Sequence, residues 1–251
     1  MVFAGVLRKG YSEFTVYMKK SETEKGWESS IEAWKSPPEG RSLSEYEAQL
    51  NFKASELKGN KILDLGSGIK DMFAQEVQSL GIGAEVISLS PDYSNPHYAR
   101  TVRKAFPEGK QVVGLGQKLP FGGQSFDRIF ALHVYEHITS KEIFLGILME
   151  MVRTLRPGGI AKFGPMEDIP HGLGPPDFGA LSPYEIARAD ESLREELAKN
   201  HTSLIKEEMP ESVMPLIKVK DSYGESYDVP RYNLVLVKGN EPIPLFENMD
   251  F

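Results

Sequence analysis

The sequence predicts an α/β protein with a doubly wound, mostly parallel sheet of seven strands. One observation is a short apolar strand that ends in a glycine turn, KILDLGSG from Lys61 to Gly68. Another is the order of the segments that follow, because four further apolar segments alternate with helical patterns up to Gly164. Strands that alternate with helices pair in parallel through right-handed crossovers. Two late apolar segments bring the predicted number of strands to seven.

The first strand and its turn are the best candidate for a ligand-binding element. The residues from Lys61 to Leu65 are mainly apolar, which is typical of a buried strand. Gly66 and Gly68 let the backbone turn tightly, and they let a ligand approach main-chain N–H groups without meeting a Cβ atom. Asp64 lies just before the turn, where its carboxylate can accept hydrogen bonds from loop amides or from a cationic ligand. A glycine turn of this kind also occurs in α/β proteins that bind nothing there.

The later elements follow from the same patterns. The other predicted strands are Ala84–Ser90, Gln111–Gly116, Arg128–Val134, Gly159–Gly164, Pro215–Lys220 and Tyr232–Gly239. An amphipathic helix is predicted over Leu43–Leu57, with Ser42 or Ser44 as its cap. A second helix is predicted from about Ser182, as N-cap, to Asn200. The segment between Pro165 and Gly179 is too rich in proline and glycine for a regular element.

Composition excludes several classes of function. The chain of 251 residues has no cysteine and a net charge of −7. Disulfides, thiolate metal sites and cysteine nucleophiles are therefore excluded, and the negative charge argues against nucleic acid as the main partner. No run approaches the roughly 18 apolar residues that span a bilayer. We expect a cytoplasmic protein without a membrane or nucleic-acid partner.

Three later motifs give the sequence a specific resemblance. They are LPF-x-x-x-x-FD from Leu119 to Asp127, the pair Glu136-His137, and LRPGG from Leu155 to Gly159. With the glycine turn, they make the chain from Lys61 to Gly164 resemble the class I S-adenosylmethionine-dependent methyltransferases, in particular their small-molecule branch.

The resemblance implies a Rossmann-like sheet that ends in a C-terminal antiparallel hairpin, formed here by Pro215–Lys220 and Tyr232–Gly239. It also divides the chain into an N-terminal extension with a capping helix over the cofactor site, residues 1–59, and a methyltransferase-like domain, residues 60–251. An irregular insertion is expected from about 165 to 215. The implied cofactor is S-adenosylmethionine, with S-adenosylhomocysteine as product and a small molecule as methyl acceptor.

Carried onto this sequence, the resemblance gives a set of cofactor-binding residues at the carboxyl ends of the strands. They are Asp64, Gly66, Ser67, Gly68, Ser90, Asp92, Leu115, Gln117, Leu132 and His133. Three positions depart from the family pattern. Lys70 stands where a third glycine is usual, Ser90 where a carboxylate binds the ribose, and Leu115 where an aspartate binds the adenine.

His133 is the candidate general base, because imidazole titrates near neutrality and the residue follows strand 4. A histidine satisfied by nearby backbone is the equal alternative. On a helix starting here, His133 and His137 share one face, but no third ligand is signalled nearby, so no metal site is predicted. His137 is interpreted as a structural group.

The segments outside the resemblance are expected to carry specificity. Glu167, Asp168 and His171 either shape an acceptor pocket or lie in a plain surface loop. Trp27 and Trp34 stand in a polar segment, and we expect them to be anchored against the core or a pocket mouth.

Two functions fit the sequence. One is an S-adenosylmethionine-dependent methyltransferase that acts on a small molecule. The other is a methyltransferase-like binding or scaffold protein, with a protein partner, that has lost or changed its cofactor; the departures at Lys70, Ser90 and Leu115 favour it.

Overall fold

The computed structural model describes residues 40–68, 70–138, 140–167, 181–210, 212–213, 217–220, 226–229 and 231–240. In chain order its strands are β1 (Lys61–Leu65), β2 (Glu85–Leu89), β3 (Lys110–Val112), β4 (Phe126–Leu132), β5 (Leu155–Glu167), β6 (Thr202–Glu208), β7 (Ile217–Lys220), β8 (Ser226–Val229) and β9 (Arg231–Lys238). Its helices are α1 (Leu43–Leu50), α2 (Met72–Ser79), α3 (Pro96–Ala105), α4 (Lys141–Thr154), α5 (Pro183–Ala189) and α6 (Glu191–Lys199). Short 3₁₀ helices cover Ala54–Leu57, Pro91–Ser94 and Tyr135–His137.

A seven-stranded sheet in the order β3-β2-β1-β4-β5-β9-β6 forms the centre of the molecule. The strands from β3 to β5 are parallel, and β9 is antiparallel to both β5 and β6. The predicted fold class is therefore confirmed, including antiparallel strands at the C-terminal end of the sheet. The strand order reverses between β1 and β4, which is where open α/β sheets place their ligands.

The partner of the last strand differs from the prediction. β9 pairs with β6 (Thr202–Glu208), whereas the predicted strand Pro215–Lys220 contributes β7, which pairs with β8 in a separate two-stranded ribbon. The sequence TSLIKEE has little apolar character, and most of its side chains are only partly buried. An edge strand pairs on one side only and tolerates charged residues, so it carries a weak sequence signal.

The predicted helix from Ser182 to Asn200 is broken into two. Asp190 has an extended backbone between α5 and α6, and its side chain accepts a hydrogen bond from the Leu193 N–H at 3.0 Å. The aspartate thus ends one helix and caps the next. Ser182 is the N-cap of α5, as predicted, and forms a capping box with Glu185.

The helix predicted over Leu43–Leu57 is α1, followed by the 3₁₀ helix Ala54–Leu57. Ser42 caps it through a capping box with Glu45, and the left-handed backbone of Asn51 ends it. The division into an extension of residues 1–59 and a domain of residues 60–251 stays a prediction.

Both faces of the sheet are covered, as a doubly wound sheet requires. On one face α4 packs into a large cluster that includes Phe126, Phe144 and Met151. On the other, α1 and α2 pack against the sheet through a smaller cluster. That cluster includes Tyr46, Phe73 and Phe130, whose rings stack or meet edge to face. Helix α1 is thus part of the core and lies against the half of the sheet in which the parallel strands end.

Two of the motifs that gave the resemblance serve the fold. Asp127 accepts a hydrogen bond from the backbone N–H of Lys61 at 2.7 Å and pairs with Arg156 at 3.0 Å. The aspartate therefore ties the start of β1 to the beginning of β5.

We predict that Asp127→Ala lowers the free energy of unfolding by about 1–2 kcal/mol, because it removes the acceptor of the first β1 amide. Urea denaturation followed by circular dichroism measures this loss. Asp127→Asn is the matched control, since its amide oxygen still accepts from Lys61, and the partly exposed ion pair is worth little. Equal stability of Asp127→Ala and the wild type would contradict the assignment.

Candidate functional site

The site lies where the carboxyl ends of β1, β2 and β4 meet. The turn after β1 is joined to the end of β2 by the N–H of Gly66, which donates to the carbonyl of Leu89 at 2.8 Å. Residues after β4 pack against the same turn, because a Cβ atom at Gly66 would overlap the side chain of Val134. The three strand ends therefore form one surface.

The two glycines of the turn have different surroundings. Gly66 (φ +78°) and Gly68 (φ +70°) both have the left-handed backbone that favours glycine. A Cβ atom at Gly68 would meet nothing within 4 Å, whereas one at Gly66 would collide with Val134. Gly66 is needed for packing, and Gly68 faces open space from which a ligand can approach the main chain.

Asp64 is a buried carboxylate with one unsatisfied oxygen. Its Oδ1 accepts a hydrogen bond from the Tyr46 hydroxyl at 2.6 Å. Its Oδ2 is buried and has no hydrogen-bond donor among the residues that the structure describes. Burial raises the pKa of Asp64 to about 7; the Tyr46 hydrogen bond lowers it, Asp71 raises it and Arg41 lowers it. The side chain is poised to change charge near neutral pH.

Asp71 lies beneath the turn and is fully bonded. It stands before α2 with a left-handed backbone (φ 52°) and does not cap the helix with its side chain. One oxygen accepts from the Ser88 hydroxyl and the other from the amide of Gln111 at 3.0 Å. Burial raises the pKa of Asp71, while these two hydrogen bonds lower it. Asp71 links the turn to β2 and β3, a role for which the sequence carries no signal beyond an acid before a helix.

The end of β2 brings Ser90 and Asp92 together. Pro91 opens the 3₁₀ helix Pro91–Ser94, and the Ser90 hydroxyl accepts from the Asp92 N–H at 3.2 Å. The same hydroxyl donates to Asp92 Oδ2 at 3.2 Å. Burial raises the pKa of Asp92, whereas Ser90 and His137 lower it. The bend at Pro91 thus brings the carboxylate of Asp92 close to the end of β2, next to Ser90.

Ser67 is held by the same 3₁₀ helix. Its hydroxyl and that of Tyr93 are 2.8 Å apart. Burial raises the pKa of Tyr93, and Asp71 raises it further. The contact fixes the middle of the glycine turn against the segment after β2.

Leu115 and Gln117 occupy a tight turn after β3. The N–H of Lys118 donates to the Leu115 carbonyl at 3.1 Å, and both candidate side chains are partly buried. Gln117 packs against Gly146 of α4. The described contacts do not connect this turn directly to Asp64.

Leu132 and His133, the last two predicted site residues, differ in their surroundings. Leu132 is fully buried in the cluster with Tyr46 and Phe130, so it can face the site only through its backbone. His133 has a left-handed backbone (φ 57°), and its N–H donates to the carbonyl of Gly164 at 2.8 Å.

The helical arrangement considered for His133 and His137 is not formed. A 3₁₀ helix begins only at Tyr135, because the left-handed bend at His133 breaks the chain direction after β4. The two rings therefore do not share a helix face. Among the described residues, no group of three or more histidine, cysteine or acidic side chains is placed to hold a metal ion.

Lys70, which stands where the family pattern usually has a third glycine, is hydrogen-bonded through its backbone. Its carbonyl accepts from the Gln75 amide at 2.5 Å, and its Cβ lies beside Gly40. The side chain is partly buried.

Outside the core of the site, Glu167 pairs with Arg231 at 3.1 Å. The expectations for Trp27, Trp34, Asp168 and His171 fall outside the described residues.

Sequence reasoning missed Tyr46 and Gln49, the two α1 side chains that reach the site. Tyr46 reads as one of the apolar positions of an amphipathic helix, and it is indeed buried in the core. Its hydroxyl, however, reaches Asp64. A polar tip on a buried aromatic residue needs a partner, and this is the one signal that could have found the pair.

The chain is similar to known methyltransferases. Residues 63–163 match the model of a methyltransferase domain family. The ubiquinone biosynthesis O-methyltransferase of Rhizobium rhizogenes is 32% identical over 109 residues, 43% of this chain and 41% of that protein. The sterol 24-C-methyltransferase of Saccharomyces cerevisiae is 28% identical over 142 residues, 54% of this chain and 36% of that protein. The chain thus spans less than half the length of these curated relatives.

A crystal structure of an S-adenosylmethionine-dependent methyltransferase from Methanosarcina mazei is also similar. Its TM-score is 0.47 at 13% identity, over 72% of this chain and 93% of that one. Within the described part of the chain, no helix has the length and apolar character needed to cross a membrane.

We predict that Gly66→Ala destabilises the fold more than Gly68→Ala, by about 1–3 kcal/mol. Both substitutions impose a left-handed backbone on alanine, so this strain is common to the pair. Only the Gly66 variant also overlaps Val134. Thermal and urea denaturation of the two variants measure the difference, and equal losses would contradict the assigned contact.

A second prediction concerns pH. Between about pH 4 and 7 the folded protein keeps a proton on Asp64 that the unfolded chain has released, so the free energy of unfolding falls as pH rises through this window. Asp64→Asn removes the titration but keeps an acceptor for Tyr46. Its stability relative to the wild type should rise with pH by up to about 4 kcal/mol.

Urea denaturation at intervals from pH 4 to 8 measures this difference. Asp71 and Asp92 titrate in both proteins, so their effects cancel in the comparison. A difference that is constant with pH would show that Asp64 is ionised throughout.

Proposed function

We propose that this protein, whose residues 63–163 match the model of a methyltransferase domain family, is a class I S-adenosylmethionine-dependent methyltransferase that binds its cofactor at the glycine turn. It then transfers the methyl group to a small-molecule acceptor. The agreement between the matched residues 63–163 and the segment Lys61–Gly164 named by its motifs supports this proposal.

The observation that carries the proposal is the unsatisfied Oδ2 of Asp64. A buried carboxylate oxygen without a donor is costly, so native proteins rarely keep one without a reason. The α-ammonium group of S-adenosylmethionine is a cationic donor that would satisfy it. Gly68, four residues after Asp64, faces open space and leaves the main chain accessible to the same ligand.

The charge around the turn has the sign that this ligand needs. Asp64, Asp71 and Asp92 are acidic side chains whose pKa values are raised by burial. S-adenosylmethionine supplies an electrophilic methyl group on a positively charged sulfonium. Acidic groups around a cationic ligand attract it, and the ligand in turn favours their ionised forms.

Asp92 can supply the carboxylate that Ser90, at the end of β2, lacks. Ser90 and Asp92 are hydrogen-bonded to each other, so a hydroxyl and a carboxylate stand together where ribose hydroxyls are expected. We therefore propose Ser90 and Asp92 as the ribose-binding pair, with Ser67 and Gly68 along the main chain of the ligand site. Leu115 and Gln117 stay candidates for the adenine side.

His133 is the proposed base. It follows β4 and precedes Val134, whose side chain packs on the glycine turn, and this position next to the turn supports the proposed role. The relatives differ in the atom named for methylation, an oxygen in one and carbon 24 of a sterol in the other. Their names therefore do not identify the acceptor.

Beyond the departures at Lys70, Ser90 and Leu115, no feature of the described residues favours the alternative, a degenerate scaffold that binds a protein partner. A cytoplasmic location, and the lack of a nucleic-acid partner, stay predictions.

We predict that S-adenosylmethionine and S-adenosylhomocysteine bind with micromolar dissociation constants in isothermal titration calorimetry. Asp64→Asn should weaken both by about 10- to 100-fold, because a charge-assisted hydrogen bond is worth roughly 1.5–3 kcal/mol. Below pH 7, binding to the wild type should release a proton, so its heat should vary with the ionisation enthalpy of the buffer.

Asp127→Asn, far from the ligand, is the control and should bind as the wild type does. No heat from folded wild-type protein at millimolar ligand would contradict the proposed function. Wild-type affinity in Asp64→Asn would contradict the role of the carboxylate.

A further inference from the structure

The imidazole ring of His133 is held at both nitrogens. Nδ1 lies 2.6 Å from Oε1 of Glu136, three residues along the chain. Nε2 lies 2.8 Å from Oε1 of Gln49, which comes from α1. The His133 side chain is partly buried, with 20% of its surface exposed. Both ring nitrogens therefore have a hydrogen-bond partner in this orientation of the ring.

Glu136 determines which nitrogen of the neutral His133 ring carries the hydrogen. The hydrogen bond from His133 lowers the pKa of Glu136, and the charges of His133, His137 and Arg41 lower it further. An ionised carboxylate can only accept a hydrogen bond, so Nδ1 must carry the hydrogen. In the neutral ring, Nε2 then carries the lone pair.

Gln49 can serve either charge state of that nitrogen. Turning a side-chain amide by 180° exchanges its oxygen and its NH₂ group. The amide oxygen accepts from Nε2–H of an imidazolium, and the NH₂ group donates to Nε2 of a neutral ring. Gln49 is itself held in place, because Asn233 donates to its backbone carbonyl at 2.8 Å.

The backbone adds an independent observation. His133 has a left-handed conformation, which costs energy for a residue with a side chain, and its N–H is fixed by the carbonyl of Gly164. Such strained residues cluster at functional sites. Here the bend turns the ring back towards α1 and away from the chain direction that a helix would follow.

We propose that Nε2 of His133 takes a proton from a methyl acceptor that bears a hydroxyl group. Glu136 is the positioning residue that fixes the tautomer, and Gln49 holds the place that the acceptor hydroxyl takes. The inference rests on the proposed function. In the transfer, the hydroxyl proton passes to Nε2, the oxygen bonds to the methyl carbon, and the C–S bond breaks with its electron pair left on sulfur.

The chemistry of the acceptor follows from the need for a base. A thiolate, a carboxylate or a neutral amine already has a free electron pair at neutral pH. A phenol, an alcohol or a protonated amine keeps its proton, so a positioned base accelerates its reaction. Of these, the protonated amine is repelled by the cationic sulfonium, whereas the neutral hydroxyl compound is not. A carboxylate-backed imidazole at the strand end therefore favours an acceptor with a hydroxyl group over one that is already ionised.

The tautomer of His133 tests the positioning role of Glu136 without an acceptor. Nitrogen-15 NMR of histidine-labelled protein, with His133→Gln to assign the signal, should show hydrogen on Nδ1 in the neutral ring. In Glu136→Gln the signal should shift towards the Nε2–H form. Glu195→Gln, an exposed change of the same charge, should leave it unchanged. An Nε2–H tautomer in the wild type would overturn the proposal.

The base role is tested by transfer of the tritiated methyl group of S-adenosylmethionine to catechol and to thiophenol. Thiophenol is largely ionised at neutral pH and needs no base. His133→Gln should slow transfer to catechol by about 10²- to 10⁴-fold more than it slows transfer to thiophenol. Equal rates for variant and wild type, or equal losses on both acceptors, would overturn the base assignment.

Calorimetry with S-adenosylhomocysteine tests cofactor binding separately from the role of His133 as a base. Glu136→Gln should bind it as the wild type does, since that side chain is not assigned to hold it. Failure of the wild type to bind overturns the proposed function as well, whereas binding with no loss on catechol overturns only the assignment of His133.

Discussion

The hydrogen bond between Tyr46 and Asp64 is the interaction on which the site and much of the fold around it depend. It joins α1 to the end of β1 inside a cluster of buried aromatic rings. The carboxylate is held in a medium where its charge is unfavourable, and the phenol supplies one of the few donors within reach. The same contact fixes the helix over the sheet and orients the carboxylate beside the glycine turn.

Further polar contacts fasten α1 across the strand ends. Lys162 of β5 donates to the Asn51 carbonyl at 2.8 Å and pairs with Glu207 of β6 at 2.9 Å. At the other end, the Leu43 N–H donates to Glu76 at 2.6 Å. With both ends and both inward side chains bonded, the position of α1 sets the geometry at Asp64 and at His133 together. A change in the packing of this helix would therefore reach the ligand side and the acceptor side of the site at once.

The sequence predicted what depends on local pattern and missed what depends on distant pairing. The glycine turn, β1 and the capping of α5 follow from residue type and spacing, and they are confirmed. The position of β6 was missed because an edge strand needs little apolar surface. The partners of His133 could not be predicted, since Gln49 is 84 positions away and only the packing of α1 brings it near. The left-handed backbone of His133 could not be predicted either, because glycine is the residue type that signals this conformation.

The energetic cost of Asp64 bears on whether the site is degenerate. An asparagine at this position would accept the same hydrogen bond from Tyr46 and would carry no charge. It would remove the cost of ionising a buried group, so a sequence under no demand from a ligand would gain stability by the exchange. A cationic ligand reverses that balance, because it supplies the donor that Oδ2 lacks and stabilises the charge. A pKa that burial raises is consistent with the proposed role of Asp64 as the carboxylate that binds a cation. The departures at Lys70 and Ser90 do not remove that carboxylate.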